Sequence, residues 1–143
     1  MSKTRKILII EDNIELVKLL NMQLGQEGYE VFCAEDAVHA ITVAQEKTPS
    51  VILLDLGLPG GDGFVVMKRL AKLRNTNLIP IIVVSGQEKE GNEAEAIKAG
   101  AVAYLAKPVK IEDVLTEIRK ALGEEVNEPS EPNQPTPAGT NKA

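Results

Sequence analysis

The sequence has little of what secreted or membrane proteins use for stability. It has one cysteine, Cys33, which cannot form an internal disulfide and cannot build a zinc site alone. A membrane-spanning helix needs about 20 consecutive apolar residues, and no run approaches that length. The polar and basic residues 1–6 lead into an apolar run, 7–10, that is too short for a signal-peptide core. We therefore expect a cytoplasmic protein without a membrane segment.

Positive charge is also scarce relative to negative charge. The chain has 16 Lys and Arg residues against 21 Asp and Glu residues, which gives a formal net charge of −5. Affinity for nucleic acid depends largely on clustered Lys and Arg that neutralise phosphates. We therefore expect no direct nucleic acid binding.

The length, 143 residues, predicts one domain with a full core rather than two.

Short apolar runs alternate with helically spaced apolar residues along most of the chain. The runs predict strands at 7–10, 29–34, 51–54, 79–84 and 103–105. Helices are predicted after each strand, with Asn13 as the first N-cap and with Val38, Ile41 and Ala44 on one face of the second. Because the strands are continuous apolar runs, they indicate a parallel sheet covered by helices on both faces. The predicted fold is a doubly wound α/β sandwich.

The composition changes near residue 123. Four of the eight prolines fall in the last 21 residues, together with Glu, Asn, Gln and Thr. Such a segment cannot bury enough apolar surface to offset the entropy of ordering it. We therefore predict a domain at 1–122 and a disordered tail or linker remnant at 123–143.

Polar residues whose side chains can bind a ligand or take part in a reaction follow four of the five predicted strands. Glu11 and Asp12 follow the first, Asp55 the third, Ser85 the fourth, and Lys107 comes just after the fifth. Ligands of open parallel sheets bind beyond the carboxyl ends of the strands, where the strand order reverses. In the order 2-1-3-4-5, strands one and three would be neighbours about 4.8 Å apart. Three carboxylates would then crowd one cleft and require a cation.

The residue types at these strand ends favour phosphoryl transfer to a carboxylate. Oxygen ligands suit a hard ion such as Mg²⁺, with Mn²⁺ as the alternative. Lys107 offers a positive charge, and Ser85 a hydroxyl donor, to phosphoryl oxygens. Asp55 is the predicted nucleophile, because carboxylates form acyl phosphates when positioning and charge neutralisation are supplied.

A series of short motifs along the chain resembles the response-regulator receiver family of two-component signalling, in particular its single-domain chemotaxis regulators. The match extends from about residue 6 to residue 122. The motifs are Ile10-Glu11-Asp12-Asn13, Leu54-Asp55 with Leu58-Pro59 and Asp62-Gly63, Ser85, and Tyr104-Leu105-Ala106-Lys107-Pro108. The resemblance implies a flavodoxin-like fold, with a five-stranded parallel sheet in the order 2-1-3-4-5.

The resemblance also implies roles for individual residues. Asp12, Asp55 and the backbone carbonyl of Gly57 would hold Mg²⁺, with Glu11 assisting through water. Asp55 would accept a phosphoryl group from a histidine kinase or a histidine phosphotransfer protein, with Lys107 and Ser85 assisting. Ser85 and Tyr104 would switch a partner-binding face formed by helix 4, strand 5 and helix 5. The Lys107-Pro108 peptide would be cis.

The same resemblance implies how the signal leaves the domain. Such a chain would promote its own phosphorylation and dephosphorylation without turning over a separate substrate, so we do not expect an enzyme in the usual sense. Its output would pass to a downstream effector protein or to a C-terminal output domain missing from this sequence.

Three alternatives come from other classes of protein. A phosphatase of the haloacid dehalogenase type needs a second Asp two positions after the nucleophile, and Gly57 stands there. A nucleotide switch needs a phosphate-binding Gly-rich loop after the first strand, where Glu11 and Asp12 have the wrong charge. A receiver-like binding module that is never phosphorylated is the strongest alternative, although the presence of Asp12, Asp55 and Lys107 argues against it.

Overall fold

Strands and helices alternate along the computed structural model, which describes residues 4–58, 63–86 and 92–124. The strands are β1 (Lys6–Ile10), β2 (Glu30–Ala34), β3 (Val51–Leu54), β4 (Ile81–Ser85) and β5 (Ala103–Ala106). The helices are α1 (Ile14–Gln26), α2 (Ala37–Lys47), α3 (Gly63–Lys72), α4 (Asn92–Lys98) and α5 (Ile111–Leu122). None of the described helices is long and apolar enough to cross a membrane.

The five strands form one parallel sheet in the order β2-β1-β3-β4-β5. The order reverses between β1 and β3, where Ile10 pairs with Leu54. This confirms the predicted fold class and the predicted strand order. Its consequence is that the residues after β1 and after β3 lie side by side at the carboxyl edge of the sheet.

Two apolar layers hold the helices against the sheet. One face of the sheet packs on α1 and α5, through residues that include Leu20, Leu24, Val114 and Ile118. The other face packs on α2, α3 and α4, through Ala40, Ala44, Val66, Met67 and Ala96 among others. Successive strand residues point to opposite faces, so one strand serves both layers. Both faces are therefore covered, as the continuous apolar runs predicted.

Several element boundaries follow from local chemistry. The Asn13 side chain accepts the backbone N–H of Leu16 at 3.0 Å, which confirms the predicted N-cap of α1. β4 was predicted at 79–84 but begins at Ile81, after Pro80, which has no N–H to donate to a neighbouring strand. Val38 was predicted on the buried face of α2, and this was wrong, because its side chain is 68% exposed.

The chain end of the described region is tied to the amino edge of the sheet. Gly123 adopts a left-handed φ of 73° and ends α5. Glu124 accepts a hydrogen bond from the Tyr29 hydroxyl at 2.8 Å and lies 3.8 Å from the Arg5 guanidinium. The rest of the predicted tail, residues 125–143, lies outside the described residues, and its disorder stays a prediction.

The α5 layer provides a test of which apolar contacts hold the fold. Ile118 is fully buried, whereas Leu78 is 90% exposed. We expect Ile118→Ala to lower the free energy of unfolding by about 2–5 kcal/mol, because it removes buried methyl groups and leaves a cavity. Leu78→Ala, the matched control, should stay within about 0.5 kcal/mol of wild type. Urea denaturation followed by circular dichroism measures both, and equal losses would contradict the assignment of this core.

Candidate functional site

The backbone brings Glu11 and Asp55 to the same level of the sheet. The Asp55 backbone N–H donates to the Ile10 carbonyl at 2.9 Å, which extends the β1–β3 pairing by one step. The Glu11 backbone N–H donates to the Ala34 carbonyl at 3.0 Å and fixes the first residue after β1 in the same way. Both acidic residues are therefore placed by main-chain pairing rather than by loop conformation.

Three carboxylates meet at this edge. Oxygen atoms of Glu11, Asp12 and Asp55 all lie within 4.8 Å of one another. Glu11 and Asp55 are 3% and 8% exposed, whereas Asp12 faces solvent. Two buried charges beside a third one repel strongly unless a cation lies among them. The cluster is therefore built around a positive charge.

Lys107 supplies one such charge from the end of β5. Its Nζ atom lies 2.9 Å from Glu11 Oε1 and 3.4 Å from Asp55 Oδ2. The Lys107 backbone N–H donates to the Ser85 carbonyl at 2.9 Å, so the lysine is held against the end of β4. The expected cis peptide between Lys107 and Pro108 is present. One ammonium against three carboxylates leaves an excess of negative charge.

The pKa values of Glu11 and Lys107 reflect their burial and the charged groups around them. Burial raises the pKa of Glu11 above its ordinary value, and the Asp55 charge acts in the same direction. Hydrogen bonds from Lys107 and from the Asn13 backbone oppose this rise without cancelling it. Burial alone would lower the pKa of Lys107, but the hydrogen bonds and charges of Glu11 and Asp55 outweigh it and raise the pKa. Lys107 is therefore held as a cation.

The donor set fits a small hard cation. All the grouped ligand atoms are carboxylate oxygens, which Mg²⁺ and Mn²⁺ prefer. The ligand atoms lie within 4.8 Å of one another, so one cation could contact more than one of them. Asp12 is exposed, which leaves an open side for water and for a ligand. The donor set and its open side fit a divalent cation beside Asp55.

The remaining predicted site residues lie around this cluster. Ser85 ends β4, is fully buried and pairs with Ala106 in the sheet. The Gly57 backbone N–H donates to Asp55 Oδ1 at 3.1 Å, and its carbonyl as a metal ligand stays a prediction. Tyr104 lies on β5 and packs, half-buried, on the sheet face that carries α2, α3 and α4. Its pairing partner is Val83 of β4, two residues before Ser85.

Two contacts at the site were not anticipated from the sequence. Asn13 was predicted only as a helix cap, but its backbone N–H also donates to Glu11 Oε2 at 3.0 Å. Glu11 was predicted only to assist a metal, but it forms the shortest ion pair of Lys107. The separation of Glu11 and Lys107 along the chain gave no signal for their pairing. Strands β3 and β4 lie between β1 and β5, so the contact depends on the Lys107 side chain reaching across the carboxyl edge of the sheet.

Comparisons with known proteins agree with the fold. Residues 7–119 match the family model of the response regulator receiver domain. A receiver domain protein described as CheY-like, from Methanospirillum hungatei JF-1, is 30% identical with a TM-score of 0.79, over 85% of this chain and 95% of that one. Chemotaxis protein CheY4 of Vibrio cholerae is 27% identical with a TM-score of 0.78, over 84% of this chain and 100% of that one.

A third solved structure is the BeF3-activated N-terminal receiver domain of RstA from Klebsiella pneumoniae. It is 26% identical with a TM-score of 0.75, over 82% of this chain and 98% of that one. The chain combines a doubly wound sheet, an acidic cluster at its carboxyl edge and a lysine after the last strand. Together these features define a signalling domain of the two-component type. The chain belongs to the response regulator receiver domain family.

Removal and addition of Mg²⁺ test the acidic cluster directly. A ligand present at about ten times its dissociation constant stabilises the folded state by about 1.4 kcal/mol. We therefore expect Mg²⁺ to raise the melting temperature of wild type by a few degrees and to have little effect on Asp12→Asn. Asp113→Asn, an exposed acidic residue on α5 with the same change of charge, is the control and should respond like wild type. Equal responses of Asp12→Asn and wild type in thermal scans would contradict a site at Asp12.

Proposed function

We propose that this receiver domain accepts a phosphoryl group on Asp55 from a histidine kinase or a histidine phosphotransfer protein. The N–P bond of a phosphohistidine breaks, an O–P bond to one Asp55 oxygen forms, and the imidazole nitrogen keeps the electron pair. The observation that carries the proposal is the Lys107 ammonium, 3.4 Å from Asp55 Oδ2 in a site rich in negative charge. Its charge offsets the repulsion between an incoming phosphoryl group and the carboxylate.

Asp55 is the best nucleophile of the three acidic residues. Glu11 is paired more closely with Lys107 than Asp55 is, at 2.9 Å against 3.4 Å, and it is the more deeply buried of the two. Asp12 is exposed, and within the described ranges no backbone hydrogen bond fixes it as the Ile10 carbonyl fixes Asp55. Asp55 is held by its backbone and by the Gly57 N–H, yet each carboxylate oxygen keeps a further lone pair. It is thus positioned and still free to react.

Asp12, Asp55 and the Gly57 carbonyl would hold Mg²⁺ in this proposal, with Mn²⁺ as a substitute. When bound, the ion supplies positive charge to the phosphoryl oxygens. Glu11 would act on it through water, as the resemblance to the receiver family implies. Lys107 then offers its ammonium to the phosphoryl group, whereas the buried Ser85 hydroxyl contributes a neutral hydrogen bond.

Phosphorylation would change the output face through Ser85 and Tyr104. The two residues lie on adjacent strands, and the Ser85 carbonyl accepts the Lys107 backbone N–H. A phosphoryl group favours one arrangement only through contacts that it makes better there. Contacts with Lys107 and Ser85 would therefore bias Tyr104, on β5, and reshape the face of α4, β5 and α5. A downstream effector, or an output domain in a longer protein, would bind this face.

In this proposal the chain catalyses no reaction of a separate substrate. It promotes only its own phosphorylation and dephosphorylation. A cytoplasmic location is part of the same proposal.

Phosphotransfer is tested first by mass spectrometry after incubation with Mg²⁺ and acetyl phosphate or phosphoramidate. We expect wild type to gain about 80 Da, one phosphoryl group. Asp55→Asn should gain nothing, because it lacks the nucleophile, and Asp113→Asn should be labelled like wild type. Labelling of Asp55→Asn to the same extent would contradict the assignment of the nucleophile. No labelling of wild type, beside a labelled control receiver, would favour an unphosphorylated binding module.

The switch is tested by tyrosine fluorescence. The sequence has two tyrosines and no tryptophan, so Tyr29→Phe leaves Tyr104 as the only tyrosine. We expect phosphorylation of Tyr29→Phe to change the Tyr104 emission, because the ring moves between environments. The change should be absent when Ser85→Ala is added and kept when Thr42→Ala, an exposed hydroxyl on α2, is added. A phosphorylated protein whose Tyr104 emission does not change would contradict this switch.

A further inference from the structure

Gly63, the first residue of α3, lies against the backbone that carries Asp55 and leaves no room for a side chain. A Cβ atom at this position would be 2.7 Å from Leu56 Cα and 2.8 Å from the Asp55 carbonyl oxygen. Carbon atoms in favourable contact are about 3.5–4.0 Å apart. Both of these neighbours are main-chain atoms, so a change of rotamer cannot relieve the overlap.

Conformation does not explain this glycine. Left-handed φ angles occur at Gly28, Gly100 and Gly123 among the described glycines, and Gly63 is not one of them. An L-amino acid can adopt the Gly63 backbone, so it is the space beside Asp55 and Leu56 that requires glycine. The contribution of Gly63 is therefore to let the start of α3 approach the main chain of Asp55 and Leu56 closely.

A hydrogen bond fixes the same contact. The Gly63 backbone N–H donates to the Leu56 carbonyl at 2.8 Å. Helix α3 is itself fixed in the core through Val66, Met67 and Leu70, each at most 2% exposed. Helix α3 thus braces the main chain at the residue that follows Asp55.

We propose that Gly63 is a positioning residue for Asp55, an inference that rests on the proposed phosphoacceptor function. Close packing of α3 on residues 55 and 56 sets the direction of the Asp55 carboxylate. Among the described residues, the carboxylate contacts the Gly57 backbone N–H at 3.1 Å and the Lys107 ammonium at 3.4 Å. A methyl group at position 63 would push the main chain at 55 and 56 away from α3, and the carboxylate would lose its alignment with both partners.

Gly63→Ala tests the proposal, with Gly25→Ala as the matched control. Gly25 lies in α1, and a Cβ atom there would meet nothing within 4 Å. Rates of labelling by phosphoramidate at saturating Mg²⁺ are measured on folded protein, together with Mg²⁺ affinity by calorimetry. We expect the Gly63→Ala rate constant to fall by about tenfold or more, as ångström-scale misplacement of a reacting group typically does. Its Mg²⁺ affinity should fall too, whereas Gly25→Ala should match wild type in both measurements.

A purely structural role gives a different result. If Gly63→Ala melts at a lower temperature but its folded form is labelled at the wild-type rate and binds Mg²⁺ equally well, the proposal is overturned. If wild type itself is not labelled, the phosphoacceptor function fails, and Mg²⁺ affinity decides about Gly63 separately. Weaker binding by Gly63→Ala would then support positioning, whereas unchanged binding, or no binding by wild type, would overturn it.

Wild-type protein provides a second measurement if Gly63→Ala does not fold. In an amide NMR titration with Mg²⁺, the proposal expects the Gly63 resonance to shift together with that of Asp55, because the two share one packed contact. The Gly25 resonance should stay in place. A Gly63 amide that does not respond while Asp55 shifts would overturn the coupling.

Discussion

The accumulation of negative charge at the carboxyl edge of the sheet is the constraint on which the functional arrangement depends. Main-chain pairing of β1 with β3 forces Glu11 and Asp55 together, and both are largely buried. Such a pair is costly unless a cation offsets it. Lys107 meets part of that need, at 2.9 Å from one carboxylate and 3.4 Å from the other. The remaining negative charge fits the divalent cation that receiver domains bind in an acidic pocket of this kind.

The two apolar layers explain how a small domain tolerates this arrangement. β1 and β3 lie in the interior of the sheet, where nearly every side chain is fully buried. A charge at the end of such a strand cannot move away without disturbing the pairing of its neighbours. Because the strands are fixed by burial on both faces, the carboxylates stay close despite their repulsion. Stability of the core and chemistry at the edge are thus linked through the same strands.

The helices serve this edge in different ways. The N-cap of α1, Asn13, also donates its backbone N–H to Glu11, so the helix start and the acidic residue are held by one residue. Helix α3 begins at Gly63, where its main chain touches that of Asp55 and Leu56. α5 lies on the opposite side, and its end is tied to the amino edge through Glu124 and Tyr29. The helices that pack on this sheet therefore connect the acidic site at its carboxyl edge with contacts at its amino edge.

The sequence by itself determined the fold class, the number and kind of elements, and the identity of the strand-end residues. A strand whose residues are all apolar needs cover on both faces of its sheet. The polar residues directly after such strands mark the carboxyl edge of the sheet. Periodicity was less reliable for single side chains, as Val38 shows, because neighbouring helix positions differ by only about 100° around the axis. Tertiary structure alone decided that Glu11 pairs with Lys107 and that Gly63 lies on the Asp55 backbone. Both contacts join residues on different elements, and their distances depend on strand register and helix packing, which local sequence does not encode.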